Sequence, residues 1–175
     1  MADRQKLIGV CLSDAHDVLN TGFLKELGIA AAAQGYKTVL LNTSQNIYRH
    51  QLGNSTPKAL FRSIQFSRFD AIIILYYTIF NKQLIREVVN GARRKHVPVI
   101  CIGAEHPDCW SIVNRYEDSY EKLLRHVISD HGARDTLFLA GRKGEPNSEG
   151  RIACYRRVLE ACGLPFEDSR VIYAD

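Results

Sequence analysis

The chain has 175 residues, of which 46% are hydrophobic and 24% are charged, and its formal net charge is +4. This composition is typical of a globular protein of one or two small domains, and it excludes a disordered or low-complexity chain. The basic residues are scattered, so we predict no direct nucleic-acid contact from this segment. No apolar run approaches the roughly 20 residues that a membrane span needs, and no signal peptide is recognisable. We therefore expect a cytoplasmic protein with no membrane partner.

The chain contains five cysteines. Four of them, Cys11, Cys101, Cys154 and Cys162, lie within or beside apolar segments, and Cys109 is next to a tryptophan. An odd number of cysteines in such surroundings favours reduced, buried thiols over a disulfide framework.

Short apolar runs alternate with amphipathic segments along the whole chain. The first pair is a strand at 7–12 and a helix at 20–34, which Gly35 ends. The next predicted elements are a strand at 38–41, a helix at 57–66, a strand at 71–75, a helix at 82–95, a strand within 97–103, a short strand at 111–113 and a helix at 117–129. Strands that alternate with helices predict an α/β fold with a parallel sheet and right-handed crossovers.

The last third of the chain predicts one more βα unit with a polar loop. A strand at 136–140 is followed by a loop at 141–146, and then by a helix that begins at Asn147 and Ser148 and ends at Gly163. A final strand is expected at 170–173. The expected position of Arg151 is the first turn of the helix, from which its guanidinium reaches the carboxyl end of the strand. Open α/β sheets bind ligands at that edge, so we predict that this unit binds a small molecule.

The order of these motifs resembles that of the ligand-binding domains of lactose-repressor-type and purine-repressor-type regulators. The likeness spans nearly the whole chain, and the motifs that carry it are "FDAIII", "VPVI", the "HG…LFLAG" step and an S-x-x-R-x-x-x-Y pattern formed by Ser148, Arg151 and Tyr155. The resemblance implies a periplasmic-binding-protein-like (type I) clamshell of two Rossmann-like lobes, at 1–115 and 116–175, with the second lobe incomplete because the chain is a fragment. It also implies that Arg151 is the arginine of the ligand cleft and that Asp14 faces the ligand.

This chain departs from the family pattern at several positions. Gly103 stands where the family usually has an aspartate, Arg115 and Tyr116 replace an Asp-Asn pair, and Cys154 replaces a glycine. These departures argue against a simple hexose as the ligand.

The segment from 128 to 168 resembles most closely the sensor domains at the amino end of diguanylate cyclases, where a GGDEF output domain follows. "MADRQK" stands directly before the first strand, with no helix-turn-helix ahead of it. Our leading hypothesis is therefore a sensor domain that closes on a small polar metabolite, sugar-like or nucleobase-like, and signals to an attached GGDEF domain. One alternative is the effector-binding domain of a DNA-binding repressor, and another is a stand-alone flavodoxin-like enzyme or nucleotide binder. We expect a homodimer, in which the incomplete second lobe is loose or swapped.

Six residues are candidates for ligand binding. They are Arg151, Asp14, Tyr76, Tyr77, Ser148 and Asn147. Each has an alternative role: Arg151 is otherwise a solvated helix residue, Asp14 otherwise caps a turn, and at least one of the two tyrosines is expected to pack into the core. Helix capping alone would explain Asn147 and Ser148.

We predict no catalysis, no cofactor and no metal for this chain. "GRKGEP" lacks the order of a phosphate-binding loop, and no G-x-S-x-G elbow is present. Cys101, His106 and Cys109 are close in sequence, but their spacing matches no common zinc pattern.

Overall fold

A computed structural model describes residues 4–43, 60–79 and 81–174. It divides into two compact units, Met1–Val113 and Asn114–Asp175, which we call unit 1 and unit 2. The predicted boundary after residue 115 lies two residues beyond this division, and the assignment of each unit as a separate lobe stays a prediction. Within the described ranges, no helix is long and apolar enough to cross a lipid bilayer.

Among the residues that the structure describes, unit 1 is built on a five-stranded sheet with the order β2-β1-β3-β4-β5, and every neighbouring pair of strands is parallel. The elements are β1 (Lys6–Leu12), α1 (Val18–Ala33), β2 (Tyr36–Asn42), β3 (Ala71–Leu75), α2 (Lys82–Arg93), β4 (Val99–Ile102) and β5 (Trp110–Ile112). The predicted parallel sheet is therefore confirmed.

Both faces of this sheet are covered, which explains why its strands are continuous apolar runs. One face packs against α2, and the buried residues of that core include Cys11, Ile72, Ile74 and Val88. The opposite face packs against α1 and has its own core of Val10, Leu12, Ile73 and Leu75. Successive residues of a strand point to opposite faces, so β1 and β3 each contribute to both cores.

The helices of unit 1 differ in their bounds from the prediction. α1 begins two residues before the predicted start, because the Asp17 carboxylate accepts a hydrogen bond from the Leu19 backbone N–H at 2.9 Å and so acts as the N-cap. α2 ends at Arg93, two residues early, and the chain then turns with His96 at a φ of +57°. Of the helix predicted at 57–66, residues 60–62 are helical and 66–68 form a 3₁₀ turn, while 57–59 lie outside the described residues. Residues 44–46 of the predicted loop and Phe80 also lie outside them.

Over residues 114–174, unit 2 forms two α-helices and a pair of parallel strands. They are α3 (Glu117–Arg125), β6 (Phe138–Ala140), α4 (Pro146–Ala161) and β7 (Val171–Tyr173). The predicted helix at 117–129 ends early, and a π-helical turn at His126–Asp130 continues it. The core of unit 2 contains Ile128, Phe138, Ala140, Ile152, Tyr155, Val158 and Leu159. Leu137, Leu139 and Ile172 remain exposed.

The start of α4 corrects a prediction about Asn147 and Ser148. The N-cap is Glu145, whose carboxylate accepts hydrogen bonds from the backbone N–H groups of Asn147 at 3.0 Å and Ser148 at 2.7 Å. Pro146 occupies the first helical position, where its fixed φ and missing N–H cause no loss. The predicted capping by Asn147 and Ser148 is therefore wrong. Because the helix begins at Pro146, Arg151 lies in the second turn and not in the first.

Candidate ligand-binding site

An open cavity of about 340 Å³ lies in unit 2, on the surface shared by α3 and α4. It is lined by Tyr116, Ser119, Tyr120, Leu123 and Arg151. The first four residues have the i, i+3, i+4, i+7 spacing that forms one stripe on a helix. Arg151 reaches the same stripe from α4. The predicted ligand arginine thus lies at a concave surface with aromatic, aliphatic and hydroxyl groups around it.

The guanidinium of Arg151 lies over the ring of Tyr116, with 5.4 Å between its central carbon and the ring centroid. Tyr120 meets Tyr116 edge-on, with ring centroids 6.3 Å apart. Stacking on an aromatic face holds the plane of a guanidinium but leaves its N–H donors directed outward in that plane. Arg151 is exposed, so these donors are accessible to a ligand in the cavity.

Tyr116 is held in place by the first turns of α4. Its hydroxyl donates a hydrogen bond to the backbone carbonyl of Asn147 at 3.0 Å. Gly150 makes this approach possible, since a Cβ at that position would stand only 2.9 Å from the Tyr116 hydroxyl oxygen. Burial raises the pKa of Tyr116 above its ordinary value, and the positive charge of Arg151 offsets part of that rise. The phenol is therefore neutral near pH 7 and acts as a donor.

Ser148 and Asn147 lie at the start of α4, close to this tyrosine. The Ser148 hydroxyl is buried and has no hydrogen-bond partner among the residues that the structure describes. A Cβ at Gly141 would stand 3.5 Å from that hydroxyl, so Ser148 packs against the loop that follows β6. Asn147 contributes its carbonyl to Tyr116. Three predicted site residues thus share one end of α4, and their contact with a ligand stays a prediction.

Asp14 follows β1 in unit 1 and has a left-handed backbone, with a φ of +55°. Aspartate tolerates this conformation better than most residues. Its carbonyl accepts hydrogen bonds from the Asn20 side-chain amide at 2.8 Å and from the Asp17 N–H at 3.2 Å. The backbone of Asp14 therefore closes a turn at the carboxyl edge of the sheet, and a ligand contact by its carboxylate stays a prediction.

Tyr76 and Tyr77 lie on a 3₁₀ turn directly after β3, and both are half-buried. Tyr76 packs on the core beside α2, whereas Tyr77 packs on the core beside α1. The Tyr77 hydroxyl donates to the side-chain oxygen of Asn20 at 3.1 Å. Burial raises the pKa of both phenols, so both are neutral near pH 7. Each ring has a packing role, and stacking on a ligand stays a prediction for both.

The structure adds residues that the sequence analysis did not select. Tyr116 and Tyr120 are four residues apart, and this spacing predicts that both lie on one face of a helix. No pattern in the sequence places Arg151 beside that face.

In unit 1, the structure adds Thr78. The Thr78 hydroxyl accepts a hydrogen bond from the Ser13 N–H at 3.0 Å and donates one to the Leu75 carbonyl at 2.8 Å. It joins the ends of β1 and β3, where the strand order of the sheet reverses. Ligands of open α/β sheets bind at such a reversal.

Cys101, His106 and Cys109, which the sequence analysis considered as metal ligands, lie in unit 1. The sulfur atoms of Cys101 and Cys109 are 3.4 Å apart, while His106 Nδ1 accepts a hydrogen bond from the Asp108 N–H at 3.2 Å. Burial, with smaller contributions from Cys109, raises the pKa of Cys101 to about 12. Cys11, Cys101 and Cys154 are buried as predicted, but Cys109 and Cys162 are partly exposed.

Known proteins resemble this chain in sequence and structure. No family model matches it. Catabolite control protein A of Priestia megaterium is 24% identical over 173 residues, which cover 96% of this chain and 48% of that protein. A sugar-binding transcriptional regulator of the LacI family from Escherichia coli, complexed with phosphate, superposes with a TM-score of 0.74 at 15% identity, over 99% of this chain and 59% of that one. The lac repressor dimer bound to operator and the anti-inducer ONPF gives a TM-score of 0.74 at 18% identity, over 99% of this chain and 57% of that one.

These likenesses establish the fold. The chain has the parallel-sheet α/β, periplasmic-binding-protein-like fold of the LacI-type regulators, as the sequence predicted. It spans about half the length of the curated relative and less than two thirds of the solved structures. These three relatives are transcription regulators, and none of them is a diguanylate cyclase.

Proposed function

We propose that this chain is the effector-binding part of a transcription regulator of the lactose-repressor type and that it binds a small polar molecule. The observation that carries this proposal is the guanidinium of Arg151, which lies over Tyr116 at an open cavity of unit 2. The likeness to catabolite control protein A and to LacI-type structures supports the choice of a regulator. The sequence shows no motif that places a nucleophilic side chain beside a general base, so we propose a binding role and not catalysis.

The cavity determines which ligands are suitable. Its volume of about 340 Å³ is at the lower end of the range for small-molecule sites, which run from about 300 to 1,000 Å³. The outward N–H groups of Arg151 match a carboxylate, a phosphate or a pair of hydroxyl groups. The Tyr120 ring and Leu123 supply an apolar surface for the body of the ligand. A polar metabolite of the size of one sugar or one nucleobase fits this description.

Ligand binding would regulate an output domain by shifting a conformational equilibrium. A ligand shifts such an equilibrium only by the difference in its affinity for the two conformations. The relatives favour DNA-binding as the output, whereas the resemblance of segment 128–168 to GGDEF sensors supports a diguanylate cyclase. The natural reading frame distinguishes the two: a helix-turn-helix segment before residue 1 supports the repressor, and a GGDEF domain after residue 175 supports the cyclase.

A second candidate function rests on the strand order β2-β1-β3-β4-β5 of unit 1. Flavodoxin-like proteins have this order and bind their cofactor where the order reverses. A stand-alone flavodoxin-like protein would carry flavin or nucleotide through purification, and its ultraviolet–visible spectrum would reveal the bound group. A spectrum with protein absorbance alone supports the effector-binding role.

The binding test is a thermal-shift screen of the chain with sugars, sugar phosphates, nucleobases and amino acids. We expect at least one class to raise the melting temperature, and we expect Arg151→Ala to remove that rise. Arg156→Ala is the matched control, because Arg156 lies on the same helix and also stacks on a ring, that of Phe166, with 4.2 Å from its guanidinium carbon to the centroid. Loss of the rise in Arg156→Ala but not in Arg151→Ala would reject the proposed site.

We further propose that the protein is a cytoplasmic homodimer, as the lac repressor structure is described as a dimer. Val18 and Leu19 are adjacent at the start of α1 and are 84% and 77% exposed, and this pair of exposed apolar side chains supports contact with a second copy. Light scattering should give twice the monomer mass, and Leu19→Asp should reduce it to the monomer mass. A monomer at micromolar concentration would reject this part of the proposal.

A further inference from the structure

We propose that the π-helical turn after α3 binds a divalent transition-metal ion between His126 and His131. The backbone N–H of His131 donates to the carbonyl of His126 at 3.2 Å, five residues earlier. This wide turn places residues i and i+5 on the same face of the helix. The two imidazole rings meet edge to face, with centroids 4.5 Å apart, and their Nε2 atoms are 3.0 Å apart. The two Nε2 atoms are thus adjacent and hydrogen-bonded to each other at this turn.

The carboxylate of Asp130 orients the first imidazole. Its Oδ2 lies 2.7 Å from Nδ1 of His126. An ionised carboxylate only accepts hydrogen bonds, so Nδ1 is the donor in this pair and Nε2 is the ring nitrogen left to bind a metal ion. Metal-binding histidines commonly donate their second ring N–H to a carboxylate in this way, which fixes the tautomer and strengthens the ligand. Asp130 is therefore a positioning residue, and the two Nε2 atoms are the ligands.

The distance between the Nε2 atoms of His126 and His131 is close to the distance between two histidine ligands of one metal ion. Two imidazole nitrogens at about 2.0–2.1 Å from one zinc ion are about 3.3 Å apart when the angle at the metal is tetrahedral. The pair is 3.0 Å apart here, so the separation already suits a chelate, and metal binding requires the rings to rotate from facing each other to facing one ion. Without metal, one proton lies between the two Nε2 atoms. With metal, the ion replaces that proton, and His131 becomes the tautomer protonated on Nδ1, with no net change in charge on either ring.

The rest of the coordination sphere would be water. In the part of the chain that the structure describes, no three His, Cys, Asp or Glu side chains converge on a possible metal position. The His126 and Asp130 side chains are more than half exposed, so water and metal have direct access. Imidazole ligands suit zinc, nickel and copper, and the affinity of a nitrogen site rises from cobalt through nickel to copper. A two-histidine chelate should follow that order.

Calorimetric titration of the untagged, EDTA-treated chain with zinc chloride tests the site. We expect one ion per chain, and nickel should bind more tightly than cobalt. Asp130→Asn should weaken zinc binding by about 10-fold to 100-fold, and His126→Ala and His131→Ala should weaken it further. His16→Ala is the control, since His16 is an exposed histidine of unit 1 and should leave binding unchanged. Circular dichroism checks that each variant is folded.

Three results would overturn the proposal. The first is the absence of zinc binding at millimolar concentration in the unsubstituted chain. The second is binding that His131→Ala or His126→Ala leaves unchanged, which would place the ion elsewhere. The third is an unchanged affinity in Asp130→Asn, which would remove the orienting role of the carboxylate. None of these results bears on the Arg151 site, so the two proposals fail independently.

Discussion

The contact between Gly150 and Tyr116 gives a quantitative test of the site geometry. Alanine in place of glycine within a helix is favourable by about 0.8–1.0 kcal/mol. At position 150, however, the new Cβ would stand 2.9 Å from the Tyr116 hydroxyl oxygen, so that oxygen must move away from the Asn147 carbonyl. A lost hydrogen bond of this kind costs about 0.5–1.5 kcal/mol. Gly150→Ala should therefore change the free energy of unfolding by little.

A double-mutant cycle separates the two contributions. In a Tyr116→Phe background the hydroxyl is absent, and the next nearest atom to the new Cβ is the ring carbon at 3.9 Å, an ordinary contact. Gly150→Ala should then stabilise the protein by the full amount, about 0.8–1.0 kcal/mol. The difference between the two backgrounds is the coupling energy, which should be about 0.5–1.5 kcal/mol.

Urea denaturation followed by far-ultraviolet circular dichroism measures these free energies. Gly28→Ala is the control, because Gly28 lies within α1 and a Cβ there would meet nothing within 4 Å. That variant should be stabilised in either Tyr116 background. If Gly150→Ala is equally stabilising with and without the Tyr116 hydroxyl, the described packing of Tyr116 on α4 is incorrect.

Three further predictions concern burial in unit 1. Asn20→Ala removes the amide that donates to the Asp14 carbonyl and leaves the Tyr77 hydroxyl without its acceptor. Urea denaturation should therefore show a free energy of unfolding lower by about 1–3 kcal/mol, and a decrease below about 0.5 kcal/mol would contradict this network. Ile74→Ala empties a fully buried position of β3 and should cost about 2–5 kcal/mol in the same assay; no change in midpoint would show that the position is not part of a packed core. Burial raises the pKa of Cys101 to about 12, so its thiol stays protonated at pH 8. Mass spectrometry should therefore find slow alkylation of Cys101 by iodoacetamide in the folded protein and fast alkylation in urea. Equally fast labelling in both conditions would show that Cys101 is not buried.

The parallel sheet could be predicted from the sequence because its strands are buried on both faces. Such strands are short, uninterrupted apolar runs, and residues 71–75 illustrate this with predicted and observed bounds that agree. The edge of the sheet was less predictable, since β5 is only three residues long and its first residue, Trp110, is exposed. There the apolar pattern carries little information about where the strand begins.

Local competition between caps explains the error at α4. Asn and Ser are common N-caps, so Asn147 and Ser148 were reasonable candidates. Glu145 occupies that role because Pro146 suits the first helical position and the glutamate side chain reaches the free N–H groups. The sequence E-P-N-S is compatible with either start, and only the three-dimensional hydrogen bonds distinguish them.

Contacts between distant residues account for the parts of the site that the sequence did not indicate. Gly150 and Tyr116 are 34 positions apart, so no local pattern links a helical glycine to a tyrosine hydroxyl.

His126 and His131 are close in sequence, but a spacing of five places residues on different faces of an ordinary α-helix. They come together only because the chain forms a π-helical turn there.

The most direct test of the ligand site is NMR of the chain during titration with the ligand class that gives the largest thermal shift. Resonances of the Arg151 side-chain Nε–H and of the Tyr116 and Tyr120 rings report on the cavity itself. We predict that these resonances shift together and saturate with one affinity, and that Arg151→Ala abolishes the ring shifts. Saturable shifts confined to other residues, with the Arg151 and Tyr116 signals unchanged, would contradict the account.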